Sequence, residues 1–285
     1  MSRSCRETVA AGEALLAARG IPDAAFDALQ LFYHVSDMDA TAFALQKETA
    51  VTPEVSAAYD ALLSRRCGGE PLQYIIGSWD FYRASFCVGP GVLIPRPETE
   101  LLVAEGVRTL QEMDLPRAPR VLDLCTGSGC IAWSIALDVR DAEVFGVDLS
   151  ETALDYARSQ FNAGAPVFLQ ANVLDTEQDF PYGPFDMIVS NPPYVRESER
   201  AQMRRNVLQY EPDMALFVPD DDPLRFYRSV ARWAQRVLRS GGVGIVEINE
   251  ALGPETAALF RSAGLNNVQI HRDFFEKERF IRFTR

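Results

Sequence analysis

From residue 120 to the end of the chain, short apolar runs alternate with helix-length amphipathic stretches, and that alternation admits few folds. Val121-Leu122-Asp123-Leu124 reads as a strand, Cys130 to Leu137 as a helix, and Glu143 to Val147 as a strand. Ser150 caps a helix over Glu151 to Phe161, and Val167-Phe168-Leu169 returns as a third strand. Asp186 to Ser190 is a fourth, Leu224 to Arg239 a long amphipathic helix, and Gly241-Gly242 turns the chain into a fifth strand, Val243 to Ile248. Strands separated by helices pair in parallel through right-handed crossovers, so the pattern predicts an α/β fold, a doubly wound, mostly parallel sheet. Val268 to Ile270 and Arg279 to Phe283 follow without an intervening helix, which predicts an antiparallel pair at the sheet edge and seven strands in all.

The first 70 or so residues carry a different period. Ser4-Cys5-Arg6-Glu7 has capping-box spacing ahead of Val9, Leu15 and Leu16, and Gly20-Ile21-Pro22 stops that helix. A second begins near Asp23, with Ala25, Phe26, Leu29, Phe32 and Tyr33 at helical spacings, and Thr52-Pro53 opens a third over Val55, Tyr59, Leu62 and Leu63. Residues 1–70 are therefore expected as a small helical domain with its aromatics and leucines in the core. Over 71–95, Tyr74-Ile75-Ile76, Phe81-Tyr82, Ser85-Phe86-Cys87-Val88 and Val92-Leu93-Ile94 are broken by glycine and proline, which suits a hairpin-like connector. A third region, 96–285, starts at Pro95-Arg96-Pro97-Glu98-Thr99-Glu100, where Thr99 could cap a helix.

Composition prunes the chemistry. Five cysteines at scattered positions make neither a disulfide framework nor a metal site, and two histidines, His34 and His271, leave little material for imidazole catalysis. A net charge of −12 disfavours binding to a phosphate backbone, although 26 of the 28 basic residues are Arg. The expectation is a cytoplasmic protein with no bound metal, no direct nucleic-acid partner and no membrane span, acting as a monomer, because no apolar run approaches the roughly 20 residues of a span and charge is mixed through the N-terminal stretch.

Three constellations carry chemistry. Cys125-Thr126-Gly127-Ser128-Gly129 joins a strand end to a helix start, where glycine lets a ligand approach the backbone and helix N–H groups are unpaired. Asp148 ends the next strand, 19 residues after Gly129, and is placed to accept from two ribose hydroxyls; it could also serve as a cap for the helix after it. The pair indicates a nucleoside without fixing a reaction, and a nicotinamide-linked oxidoreductase would show both. Asn191-Pro192-Pro193-Tyr194 follows the fourth strand at the edge where such sheets bind ligands. The prolines stiffen the backbone so that the Asn191 side-chain oxygen and the Pro192 carbonyl can each accept one hydrogen of a planar NH2 group, with Tyr194 covering its face. Amide nitrogen is a poor nucleophile because its lone pair is delocalised. Two acceptors drawing on its hydrogens would stabilise the positive charge that develops as a methyl group arrives.

With these motifs in order, together with Gly69-Glu70-Pro71-Leu72-Gln73-Tyr74-Ile75-Ile76-Gly77, Leu93-Ile94-Pro95-Arg96-Pro97-Glu98-Thr99-Glu100 and Tyr210-Glu211-Pro212, nearly the whole chain resembles the HemK/PrmC family of release factor glutamine methyltransferases. These are class I S-adenosyl-L-methionine-dependent enzymes with a Rossmann-like sheet. The resemblance implies N5-methylation of the glutamine in the Gly-Gly-Gln loop of peptide chain release factors, yielding N5-methylglutamine and S-adenosylhomocysteine. It implies that the N-terminal helices dock the release factor. It also implies that Cys125 to Gly129, Asp148, Val173 and Asn191 hold the cofactor while Asn191, Pro192, Pro193 and Tyr194 bind the glutamine. Glutamine methylation on a ribosomal protein would use the same pocket, and Asn-Pro-Pro-Tyr alone is shared with DNA adenine N6-methyltransferases. Three positions depart from the family: Cys125 stands for the usual glycine, Asn172 for an acidic residue, and Val173 for an aromatic that stacks on adenine. Negative φ is therefore expected at Cys125, and lowered cofactor affinity on the order of 1 kcal/mol is expected from the missing ring at Val173.

Overall fold

The computed structural model describes residues 3–161 and 166–285. The expected start of the helical domain at residue 1 lies outside the described residues. The chain divides into two compact units: one runs up to Ser78 and takes in Arg204–Tyr210, and the other comprises Trp79–Met203 with Glu211–Arg285.

The smaller unit is helical, with helices over Cys5–Ala18, Ala24–Ser36, Ala40–Gln46, Pro53–Cys67, Leu72–Ile76 and Arg205–Tyr210. Ser4 and Glu7 close the capping box, and Thr52 caps the helix that Pro53 begins. Leu16, Ala28, Leu31, Phe32, Tyr59 and Leu63 form the buried face, and the Tyr59 hydroxyl donates to the Ala28 carbonyl at 2.9 Å. Arg66 meets Asp27 at 2.7 Å in this interior. Tyr74-Ile75-Ile76, which reads as extended, lies instead in the short helix Leu72–Ile76, between Pro71 and a left-handed Gly77. Leu72 and Ile75, three apart, share its buried face. The smaller unit thus runs on to Ser78, and the hairpin, with strands Ser78–Phe81 and Ala84–Cys87, belongs from Trp79 onward to the larger one.

The larger unit is built on a seven-stranded sheet, with β1 Arg120–Leu124, β2 Glu143–Asp148, β3 Val167–Gln170, β4 Phe185–Ser190, β5 Leu238–Glu247, β6 Asn266–Arg272 and β7 Glu278–Thr284. Their spatial order is β6-β7-β5-β4-β1-β2-β3. The pairs β1–β2, β2–β3, β1–β4 and β4–β5 are parallel, while β7 runs antiparallel to both β5 and β6. β5 does not begin at the Gly241-Gly242 turn but passes through it, with a register shift opposite Phe185 and Met187.

Side chains alternate across the sheet with a period of two. Leu122, Leu124 and Ile188 join Trp233 and Phe260 on the face covered by helices Arg225–Val237 and Gly253–Ser262. Val121, Met187 and Val189 join Leu102, Trp133 and Leu154 on the face covered by helices Glu100–Glu112, Cys130–Asp138 and Glu151–Ser159. Because the chain leaves β1 toward β2 and β3 and then crosses to β4 and β5, strand order reverses between β1 and β4. The loops after those two strands diverge there and open a crevice at the carboxyl edge.

Candidate active site

A cleft occupies that crevice, enclosing about 960 Å³ of space that includes its open mouth. Cys125, Thr126, Gly127 and Ser128 line it from the loop after β1, Asp148 from the end of β2, Asn172 and Val173 from the loop after β3, and Asn191 and Pro193 from the loop after β4. Gly129 instead stands at the start of helix Cys130–Asp138, at φ +76°, where an added Cβ would press on Ala157, Phe168 and Trp133 at 3.0–3.1 Å. A smaller pocket of about 290 Å³ is lined by Leu93, Arg96, Asn191, Pro192, Tyr194, Val195, Ala215 and Leu216. Asn191 is common to both.

The glycine corner is held from below and from the side. Thr126 Oγ1 donates to Asp123 at 2.6 Å, and burial pushes the Asp123 carboxyl up to about 7. Gly127 N–H donates to Asp148 Oδ2 at 2.9 Å, and Ser150 N–H to Asp148 Oδ1 at 2.9 Å. Asp148 thus performs turn work as well as facing the cleft, while capping of the next helix falls to Ser150, which accepts from Ala153 N–H. Burial raises the Asp148 pKa against these backbone donors. A carboxylate has about four lone-pair positions, so each Asp148 oxygen retains capacity for a ligand hydroxyl.

Cys125 takes φ +61°, not the negative angle expected. This left-handed turn immediately follows β1, and the N–H of the next residue, Thr126, donates to the Val147 carbonyl at 3.0 Å. A side chain in that region costs about 1–2 kcal/mol, partly offset because glycine loses more chain entropy on folding. Cys125→Gly is accordingly expected to leave the protein as stable or up to about 1 kcal/mol more stable, read by denaturant melts; a loss of more than about 1 kcal/mol would show that thiol packing outweighs the backbone term.

Val173 is 4% exposed and its carbonyl accepts from the buried Trp233 indole at 3.0 Å. The position lines the cleft but sits in packed core, so a large ring cannot simply be exchanged for it without overpacking.

At the corner after β4, the Asn191 side-chain NH2 donates to Thr99 Oγ1 at 3.2 Å. The Tyr194 hydroxyl donates to Glu247 Oε1 at 2.9 Å, and Asn249 Nδ2 donates to the Tyr194 carbonyl at 3.2 Å. Among the described residues no protein donor engages Asn191 Oδ1 or the Pro192 carbonyl. Thr99 does not cap the following helix: its backbone is already helical, and its hydroxyl donates to Glu247 Oε2 at 2.6 Å. Buried Glu211 accepts from Ile94 N–H at 3.1 Å and, at 2.7 Å, from Arg96, which lines both the cleft and the smaller pocket.

Thr99 in this role and Glu247 are the residues that motif reading missed; Glu211 belongs to the Tyr210-Glu211-Pro212 motif, but its contacts with Ile94 and Arg96 are not legible there. For Glu247 a signal existed: it is a carboxylate ending an apolar strand at the ligand edge, as Asp148 is. The residues fit S-adenosyl-L-methionine. Asp148 offers acceptors for ribose hydroxyls, Val173, Leu149 and Leu174 offer apolar walls for a purine, and a Cβ at Gly127 would meet only open space, leaving the backbone approachable.

Comparison with known proteins agrees. Residues 7–77 match the PrmC N-terminal domain and residues 101–210 the methyltransferase small domain. The chain is 43% identical to the release factor glutamine methyltransferase of Bacteroides thetaiotaomicron over 76% of each chain. It is 36% identical to that of Chlorobaculum tepidum over 93% of this chain and 92% of the relative. A crystal structure of the release factor-specific protein-(glutamine-N5) methyltransferase from Alicyclobacillus acidocaldarius is 33% identical, covering 70% of this chain and 99% of that one with a TM-score of 0.42. With sequence relatives that extend across both units, the chain belongs to the release factor glutamine methyltransferase family.

Proposed function

We propose that the protein transfers a methyl group from S-adenosyl-L-methionine to the side-chain nitrogen of the glutamine in the Gly-Gly-Gln loop of peptide chain release factors. The observation that carries this reading is Asn191, which lines both the cleft and the smaller pocket and whose oxygen no donor among the described residues engages. In this assignment Cys125 to Ser128, Asp148, Val173 and Asn191 hold the cofactor, which supplies an electrophilic methyl group when bound, and Gly129 lets the chain turn tightly into the helix behind them. Pro192, Pro193 and Tyr194, with Asn191, receive the glutamine.

Asn191 Oδ1 and the Pro192 carbonyl each accept one amide hydrogen, which draws electron density toward the nitrogen and stabilises the charge it acquires. Tyr194, tethered through its hydroxyl to Glu247, fixes the pocket wall against the amide plane. Burial, with Glu247 beside it, raises the Tyr194 pKa well above its ordinary value, so the phenol stays protonated and is a tether rather than a base. The smaller helical unit is assigned to release-factor docking, and the protein to the cytoplasm where translation terminates, as a monomer.

Incubation with labelled S-adenosyl-L-methionine and separated release factors, ribosomal proteins and DNA tests the reading. Mass spectrometry is expected to place one methyl on a Gly-Gly-Gln glutamine; label confined to ribosomal protein or DNA would overturn it.

A further inference from the structure

An asparagine amide has two ends of nearly equal shape, one accepting and one donating. The proposed chemistry works only if Asn191 presents its oxygen to the substrate, since a turned amide would set NH2 against NH2. Resting on the function proposed above, we propose that Glu247 and Thr99 form a positioning relay that decides which end of the Asn191 amide faces the glutamine.

The polarity follows from counting hydrogens. A carboxylate only accepts, and a hydroxyl has a single hydrogen to give. Thr99 gives its hydrogen to Glu247 Oε2 at 2.6 Å, a length typical of a charge-assisted bond. Thr99 Oγ1 is then left with lone pairs facing Asn191, so it can receive the asparagine NH2 at 3.2 Å but can offer nothing to the asparagine oxygen. Glu247 cannot turn away, because its other oxygen holds the Tyr194 hydroxyl at 2.9 Å. Thr99 and Glu247 are each 2% exposed, so the contact between them is enclosed by the protein, although Thr99 borders the cleft. One carboxylate therefore orients both side chains at the ends of the Asn191-Pro192-Pro193-Tyr194 corner.

The arrangement has a cost in the fold. Burial raises the Glu247 carboxyl to about 7; the Thr99 and Tyr194 hydroxyls oppose that rise, as does Arg279 on β7, and Glu98 adds to it. Tyr227 and Cys130 also lie within its field, and burial keeps both protonated. Because the folded pKa lies above the unfolded one, the stability this group contributes is present at low pH and is lost as pH rises through about 7. Protonation has the opposite effect on the relay. A carboxylic acid can donate to Thr99, which frees the threonine hydrogen for Asn191 Oδ1 and removes the preference for the productive amide. Transfer is expected to decline as pH falls through about 7.

The test compares the full-length wild type with Glu247→Gln, Thr99→Val and Thr99→Ser, using a release factor and labelled S-adenosyl-L-methionine across the neutral range. Glu247→Gln and Thr99→Val are expected to lower kcat by about 10–100-fold, the scale of a misoriented catalytic group. KM for the release factor and cofactor Kd from calorimetry should stay within about threefold. Thr99→Ser is expected to recover most of the rate lost in Thr99→Val. Glu247→Gln is expected to lose the low-pH decline of kcat and to melt at a higher temperature than wild type in mildly alkaline solution, where the native carboxylate is a buried charge. Replacing a purely structural carboxylate would not raise stability while lowering kcat. Wild-type kcat in Thr99→Val, or an unchanged pH profile in Glu247→Gln, would overturn the relay. Absence of transfer by the wild type to any release factor would overturn the functional reading instead.

Discussion

Asn191→Ala is expected to reduce methyl transfer by about 10²–10³-fold, the effect of deleting one preorganised polar group aimed at developing charge. The reason is electronic as well as spatial. The residue sits where β4 ends, its NH2 bound to Thr99, and of the residues that line both cleft and pocket, Leu93, Arg96, Asn191 and Ala215, it is the one with a side-chain amide oxygen. Removing it leaves the Pro192 carbonyl to hold the target NH2 alone, so the amide gains rotational freedom and half of the pull on its hydrogens disappears. Cofactor affinity should change far less, because Asp148, the glycine corner and the walls at Val173 and Leu174 are untouched. Initial rates with saturating release factor, together with calorimetric cofactor binding, separate the two effects; a variant retaining full rate would remove Asn191 from the reaction.

Asp186→Ala is expected to cost about 3–5 kcal/mol of stability, because it removes the fully buried acceptor on which several partly buried donors converge. Asp186 is fully buried at the start of β4, the end of the strand opposite the cleft. It accepts from Arg117 at 2.7 and 3.1 Å, from Arg120 N–H at 2.7 Å and from Arg239 Nε. Burial pushes its pKa up, but Arg117, the Arg120 N–H and Arg239 outweigh burial and hold it below the ordinary 3.8. A carboxyl depressed in the folded state contributes stability above its unfolded pKa and loses it as pH falls through the folded value. The gap between wild type and variant should therefore persist at neutral pH and narrow only in strongly acid solution. Arg117 and Arg239 are partly exposed and can find water, which places the expected loss toward the lower end of the range. At roughly 2–4 °C per kcal/mol the melting temperature should fall by about 6–12 °C. kcat at a permissive temperature should be unchanged, since this cluster lies away from the carboxyl edge.

Legibility in the sequence followed the range of the interactions involved. The seven strands, the crossover helices and the edge pair are set by periodicity within a dozen residues, and all appear in the observed sheet. The Ser4-Glu7 capping box, the Thr52 cap and the Ser150 cap are contacts spanning three residues, and each is in place. Short segments were less legible. Leu72–Ile76 has the composition of a strand, yet packing of Leu72 and Ile75 into the helical interior overrides that preference. Cys125 shows the same limit in one residue: its side chain favours negative φ, yet its backbone is left-handed where Thr126 N–H bonds the Val147 carbonyl on the neighbouring strand.

The sequence by itself determined the order of strands and helices and which residues lie at strand ends, and so it placed Cys125 to Ser128, Asp148, Val173 and Asn191 on one edge. Only the tertiary structure decided what those residues touch. Thr99 meets Glu247 across 148 positions of chain, Ile94 meets Glu211 across 117, and Asn191 meets Thr99 across 92. Local propensity carries no information about such pairs. They form because a parallel sheet brings the carboxyl ends of its strands to one side, and because polar groups enclosed there must find hydrogen-bond partners among whatever residues the crossovers deliver.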